Sequence, residues 1–525
     1  MTWVGTMLKT SLLVAGMLVP WLAQGQFVQT HRYEREQSNA DNAWAIVSMR
    51  NHGIALVRDM EKFKDGQRLF QLVTLDSALQ ETWSTEIALS NRLRLVGYDY
   101  TDSLLYLLFR EGDTDDGDLS VTTVSLVSRQ VDTREIKHEF NLKLTHFWVV
   151  NGNMLFGGYV NREPAVLLYK TSDQQLKVVP GFFTSETELL DLRVNQNNTF
   201  NALVINRASR AHKTLVLRTF DAEGVLLLED EVTVDQNKTI LTGLTSSLQR
   251  DELLIAGTYT AGIAKQASGI YTVVADPFKD QAINYYDFGQ LNHAFDFMNP
   301  KRALKIYEQS RRDRLHGRDP DYRIYASSVR LDENANGFLL LAELYNMSSG
   351  MNNYPYQGNP YFAGPYGLYP FTPYSSRFYN SPYSYNNQLP NSDVNILESL
   401  VVAVAPDGKL DWDHGLKLKD KRKPALEQSS DFWASKDKIV LVSKLESDIY
   451  AYARYKNNET ERDTLQVKLK NPTDLIRNES KEDEGVRHWY DQFFYVWGYQ
   501  SLKDPAIVNE DRTRSVFYLV KLHVR

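Results

Sequence analysis

A unit of four short strands recurs every ~45 to 50 residues from residue 27 onward, and few folds accommodate such a period. Runs rich in Val, Leu, Ile, Tyr and Phe are broken by Asp, Asn and Gly turns, and helical periodicity is nearly absent. The most legible part of the unit is a hairpin, seen as LVTLDSALQETW, VLLYKTSDQQLKVV, LVLRTFDAEGVLLL and LVVAVAPDGKLDW. Asp76, Asp173, Asp221 and Asp407 lead its turn, where a carboxylate can accept from backbone two residues further on. One hairpin earlier, LFGGYV, LIAGTY and YVWGYQ end apolar runs on Gly157-Gly158, Gly257 and Gly498. A run that is apolar on both faces, with glycine where neighbours crowd, suits an inner strand.

Units begin near residues 43, 91, 142, 190, 236, 322, 428 and 485. The spacing predicts an all-β protein, a β-propeller of about eight four-stranded blades, with seven as the alternative count. The last unit stops at its third strand, RSVFYLVKLHVR, and FVQTHRYERE near the other end is the candidate for the missing fourth. A membrane β-barrel also shows many strands, but it demands a strict lipid-facing alternation that the doubly apolar runs break.

The stretch VVNGNMLFGGYVNREPAVLLY resembles a kelch repeat in its Asn-Gly turn, apolar strand and paired glycines. Residues 322–420 are similar to a group of uncharacterised secreted bacterial propeller-like proteins. These resemblances imply the architecture and carry no catalytic or binding residue with them.

The N-terminal segment places Lys9 before an apolar stretch and then Ala23-Gln24-Gly25, which reads as an export signal over residues 1–25 ahead of a single domain, 26–525; Met7 is an alternative start. An uncleaved membrane anchor would need a longer apolar run than one broken by Pro20. The chain has no cysteine, so its core alone must hold it. A balance of 59 basic against 66 acidic residues argues against a nucleic-acid partner.

In an up-and-down blade, the turns joining first to second and third to fourth strands share one face, and here they are short: NGN, DAEG, PDGK. The opposite face receives the longer connections, including a helical insertion at 290–318 and an aromatic low-complexity loop at 344–392. In the first, Asn299 is the N-cap, Pro300 opens the helix and Gly317 stops it. Lys301, Arg302, Lys305, Arg311 and Arg312 would form a cationic ridge for an anionic polymer or acidic partner, over a seat of Ala303, Leu304, Ile306, Tyr307 and Leu315. The plain alternative is a solvated outer face. In the second insertion prolines precede aromatics at Pro355, Pro360, Pro365 and Pro370, and Arg377 is the only charge between Leu344 and Ser392. Tyr354, Tyr356, Tyr361, Tyr366, Tyr369, Tyr374 and Arg377 are its candidate binding residues, since tyrosine offers wide amphipathic contact to proteins or sugar rings. A low-complexity cover without a binding role is the alternative.

Metal chemistry has two candidates, both for calcium. DENANGFLLLAE matches an EF-hand loop at Asp332, Asn334, Asn336, Gly337 and Glu343, although Asn336-Gly337 is a strong hairpin signal and a plain hairpin is the default. Asp113, Asp115, Asp116 and Asp118 gather carboxylates in one loop, which a solvated acidic loop also explains. The ten histidines lack zinc-ligand spacing, and His414 in DWDHG reads as a surface residue. With no phosphate loop and no nucleophile elbow, the expectation is a cofactor-free, exported, non-catalytic binding or scaffolding propeller. Its setting would be the periplasm, the outer-membrane surface or the exterior, and its partner a protein or polysaccharide of the cell envelope. Alternatives are a glycan or peptide hydrolase or lyase with its site in the central opening, and a structural component of an outer-membrane assembly.

Overall fold

The computed structural model describes residues 27–525 except 38–41, 102, 113–116, 139, 162, 183–185, 208–212, 251, 263–265, 277–280, 348–393, 424–427, 457–458, 481–482 and 504–512. The described residues form eight antiparallel sheets and one α-helix, the ring of blades that the repeat predicts. The first strands are Ala45–Ser48, Leu93–Thr101, Leu142–Val150, Thr187–Val194, a split pair Lys238–Ile240 and Leu244–Thr245, Tyr325–Asn334, Ser430–Ala434, and a second split pair Leu475–Glu479 and Gly485–Tyr490. Blade 8 is completed by Phe493–Lys503, Thr513–Val524 and, as its fourth strand, Phe27–Glu36. FVQTHRYERE therefore closes the ring, with Phe27 opposite Val524 and Glu36 opposite Val516.

Burial falls off along each blade for a simple reason: inner strands have a blade on either side, outer strands face water. In the second strand of blade 3, Asn153–Val160, every residue but the last is buried, whereas the fourth strand of blade 4, Leu226–Val234, is largely exposed. The glycines fit the crowding predicted for them. A Cβ on Gly157 would lie 2.7 Å from the Leu192 side chain of the next blade, and one on Gly257 would lie 2.0 Å from the Thr242 carbonyl oxygen. Asp76 and Asp221 hold their turns as expected, each Oδ1 accepting from the backbone two and four residues on, at 2.8–2.9 Å. Asp407 sits later in its turn and accepts from Lys409 N at 3.1 Å, while Asp173 lies 4.0 Å from Lys177 Nζ.

Neighbouring blades are tied together around the whole ring, through the first strands, through the break in that of blade 5 and, at blade 1, through the turn that follows its first strand. Tyr98 Oη donates to Ile46 O (2.8 Å), Val149 N to Asp99 Oδ2 (2.7 Å), Trp148 Nε1 to Leu192 O (2.6 Å) and Thr245 N to Asp191 Oδ2 (2.8 Å). Thr242 and Ser328 share a hydroxyl bond (2.7 Å), Arg330 pairs with Asp431 (2.6 Å), His488 N donates to Asp431 Oδ2 (2.8 Å), and Trp489 Nε1 donates to Gly53 O (3.2 Å). Each of the eight blade-to-blade seams thus carries a polar latch at its inner edge.

The division into a short-turn face and a long-loop face holds for the insertions but is less regular than the sequence suggests. On the long-loop side, Asp65-Gly66 and Glu446-Ser447 are two-residue turns. The helical insertion leaves blade 5 after Asp287 and enters blade 6 at Tyr325; the aromatic loop joins the second strand of blade 6, ending at Met347, to the third, starting at Val394. Both connections open on that side. Among the described residues no helix is long and apolar enough to cross a membrane.

Candidate functional site

The helical insertion docks in the seam between blades 5 and 6. Phe288, Leu291, Ala294 and Phe295 are buried in one cluster with Leu254 and Ile270 of blade 5 and Leu340, Leu400 and Val402 of blade 6. The helix, Pro300–Leu315, begins as predicted, with Asn299 Oδ1 accepting from Lys301 N and Pro300 in the first turn. Its seat is Ala303, Ile306, Tyr307 and the buried Ser310, which a 3.6-residue period places on one face. Leu304 and Leu315 do not belong to it: they are 58% and 76% exposed, a correction to the sequence assignment. Arg314 clamps the far end of the helix onto Asp287, with both contacts within 2.9 Å, and Tyr307 Oη donates to Asn292 O.

Lys301, Arg302, Lys305, Arg311 and Arg312 are all exposed, and none is in an ion pair among the described residues. Lys301 and Arg302 occupy the first turn, where the helix dipole disfavours cations by ~0.3–1 kcal/mol each, and no acidic residue is there to offset them. Helix stability does not explain their presence.

Beneath the insertion lies a cluster of titratable groups that the sequence reading missed. Asp413, on the fourth strand of blade 6, accepts from Asn292 N (2.9 Å), Asn292 Nδ2 (3.2 Å) and His293 N (2.7 Å), so it is the peg on which the insertion hangs. Glu398 is fully buried, accepts a long bond from Phe297 N (3.3 Å) through Oε2 and leaves Oε1 without a hydrogen bond among the described residues. Burial, then the Asp296 and Asp413 carboxylates, push its acid well above the usual range. His293 bonds Asp296 (2.8 Å), and that bond raises its basicity. His414 is fully buried against Tyr452, and burial lowers its pKa to about 4, so the surface assignment made for it is overturned. DWDHG signalled its proximity in sequence; its partners lie more than a hundred residues away and left no local trace.

Carboxylates of the inner ring are committed to holding backbone. Asp99, raised to about 7 by burial, accepts from Tyr100 N and Val149 N. Asp191 is raised by burial and accepts from Thr245. Asp431 is also buried, but the Arg330 guanidinium outweighs that and holds it below the usual range. Glu343, raised to about 7 by burial, accepts from Ser429 N and Ser430 N of blade 7 through Oε1.

Those last contacts decide the EF-hand match. Asn334 pairs with Gly337 at a tight hairpin and Glu343 lies further along the second strand, opposite Ser327. Asp332 grips Arg330, Asn334 Oδ1 caps Asn336 N, and Glu343 faces blade 7, so the matched residues do not converge. Of the acidic loop, Asp118 accepts from His138 N at 3.4 Å, while Asp113, Asp115 and Asp116 lie outside the described residues. So do Tyr354, Tyr356, Tyr361, Tyr366, Tyr369, Tyr374 and Arg377. A further cleft of about 370 Å³, lined by Glu34, Glu36, Lys470, Asn471 and Arg514, opens beside the closure strand; Arg514 is already paired with Glu34 and Asp474.

No protein-family model and no curated protein matches the chain. Solved structures similar to it include the polysaccharide lyase Uly1, at 9% identity over 95% of this chain and 100% of that one, with a TM-score of 0.41. The periplasmic gluconolactonase PpgL of Pseudomonas aeruginosa matches at 10% identity over 81% and 95%, TM-score 0.38. The β-propeller domain of the Trilobed protease from Pyrococcus furiosus matches at 10% over 82% and 93%, TM-score 0.33. The chain is an eight-bladed β-propeller, and likeness at this level transfers no activity.

Proposed function

We propose that the protein is an exported propeller that binds rather than catalyses, recognising a protein or polysaccharide of the cell envelope through its long-loop face. The observation that carries this reading is a division of labour among charged groups. Asp99, Asp191 and Asp431 are spent on the latches between first strands, where an enzyme of the central opening would need free carboxylates. The rim helix, by contrast, presents five exposed cations, none of them in an ion pair among the described residues.

The aromatic loop is the second contributor. Its strand ends pair in register, Met347 opposite Val394, so residues 348–393 can be replaced by Asn-Gly without disturbing the hairpin. The full chain should retain a partner from extracts of its own envelope, and the loop-deleted chain should melt at the same temperature while losing that partner. Turnover of any substrate in a polysaccharide and peptide cleavage screen would overturn the reading, as would retention of the partner after deletion.

A further inference from the structure

The outward face of the rim helix carries more than charge. Leu304 and Leu315 are 11 residues apart, three helical turns, so they point the same way within about 20° and stand ~16 Å apart along the axis. Both are exposed, at 58% and 76%, and both are set among Lys301, Lys305, Arg311 and Arg312, with Glu308 the one acid of that face. The whole chain carries a formal charge of -7, so this ridge runs against the sign of the molecule.

From this arrangement we infer that the helix docks on the surface of an anionic lipid bilayer, with Leu304 and Leu315 entering the interface and the cations resting among the headgroups. A helix made to fit a protein groove repeats its anchors at three, four and seven residues. Here Glu308 and Arg311 interrupt the interval between the leucines, leaving no continuous apolar stripe for a groove. A bilayer interface asks for no such stripe: it takes isolated apolar side chains and draws polybasic segments by its surface potential. The helix needs no folding on arrival, because Asn299, Arg314–Asp287 and the apolar seat already fix it. The rim cations thus meet the lipid of the envelope, and recognition of a protein or polysaccharide partner rests on the aromatic loop.

Flotation of the purified full chain with vesicles tests the inference. Vesicles of phosphatidylglycerol and phosphatidylcholine at 30:70 (roughly the anionic fraction at which polybasic segments bind) should carry the protein at low salt, and phosphatidylcholine alone should not. Each cation removed in the series Lys301→Gln, Lys305→Gln, Arg311→Gln should weaken binding roughly fivefold. The double variant Leu304→Ser with Leu315→Ser should weaken it roughly tenfold at unchanged charge. All these positions are exposed, so unchanged melting verifies that the variants fold. Absence of flotation with anionic vesicles overturns the inference. So does flotation unaffected by the leucine pair, which would reduce the contact to charge alone, and so does binding to polyglutamate without binding to vesicles, which would assign the ridge to soluble polyanions. Deleting 348–393 should leave flotation intact, which separates this result from the fate of the envelope-partner reading.

Discussion

Blades 5 and 8 share a peculiarity, a first strand broken into two pieces, and they heal it in opposite ways. In blade 8 the break is bridged by buried ions. Lys444, reaching in from blade 7, pairs with Glu479 (3.1 Å) and Glu484 (2.5 Å), and all three are at most 4% exposed at the side chain. Tyr518, Gln500 and Ser447 complete the shell of Glu479, and Gln500 passes the network to Arg32 of the closure strand. Blade 5 instead leans on the apolar insertion, beneath which Glu398 makes no ion pair among the described residues. The comparison separates two uses of buried charge: a matched set that fixes which strand closes the ring, and an unmatched acid tolerated under an added element.

Breaking the matched set should cost the most. Lys444→Met leaves two buried carboxylates without their cation and should destabilise the protein by ~3–5 kcal/mol in denaturant unfolding. At the other seam, Asp413→Ala removes the acceptor for Asn292 and His293 and should cost ~2–3 kcal/mol. Its damage should be local: limited proteolysis should speed up between 288 and 324 while the blades remain protected.

Glu398→Gln should have the opposite sign. The acid is raised in the folded state, so its contribution is complete below the ordinary glutamate range and fades as pH climbs toward the raised value. The glutamine variant should therefore melt higher than wild type at pH 7–9, a window chosen above the ordinary glutamate pKa of ~4.3, and equal to it near pH 4. A wild-type advantage at pH 8 would show that a compensating cation reaches Glu398. His414 works on the acid side: lowered to about 4 by burial, it contributes stability above the ordinary histidine value that is lost as pH falls toward 4. The smallest effect belongs to the exposed cations, where Lys301→Gln should shift stability by less than ~0.5 kcal/mol.

What could be read from sequence was whatever repeats or acts locally. The Asp76 and Asp221 turns, the crowded glycines and the helix cap at Asn299 leave marks within a few residues, while the blade period and the closing strand were legible through repetition, the latter as the strand the last unit lacks. The seam sites do not. Asp413 meets its partners 120 and 121 residues away, and Lys444 finds Glu479 and Glu484 at separations of 35 and 40 with no motif between them. The misplaced leucines were legible in principle: Ala303, Ile306, Tyr307 and Ser310 define one stripe, and Leu304 and Leu315 fall outside it, to one side. The hairpin default at Asn336-Gly337 holds, because the residues that spell a calcium loop in sequence are dealt to different neighbours by the strand.

Closing the ring with Phe27–Glu36 also sets an order of events. Thr30 bonds to Lys521, 491 residues later in the chain. During synthesis Phe27–Glu36 must wait, unpaired, until the strand that holds Lys521 has been made, and contacts of such long range form slowly. Seven blades can assemble on their own hairpins in that interval, while the eighth stays an open edge exposed to other chains. Refolding should accordingly end in a slow step whose rate depends on the closure strand, and the same strand added as a free peptide should compete for that edge.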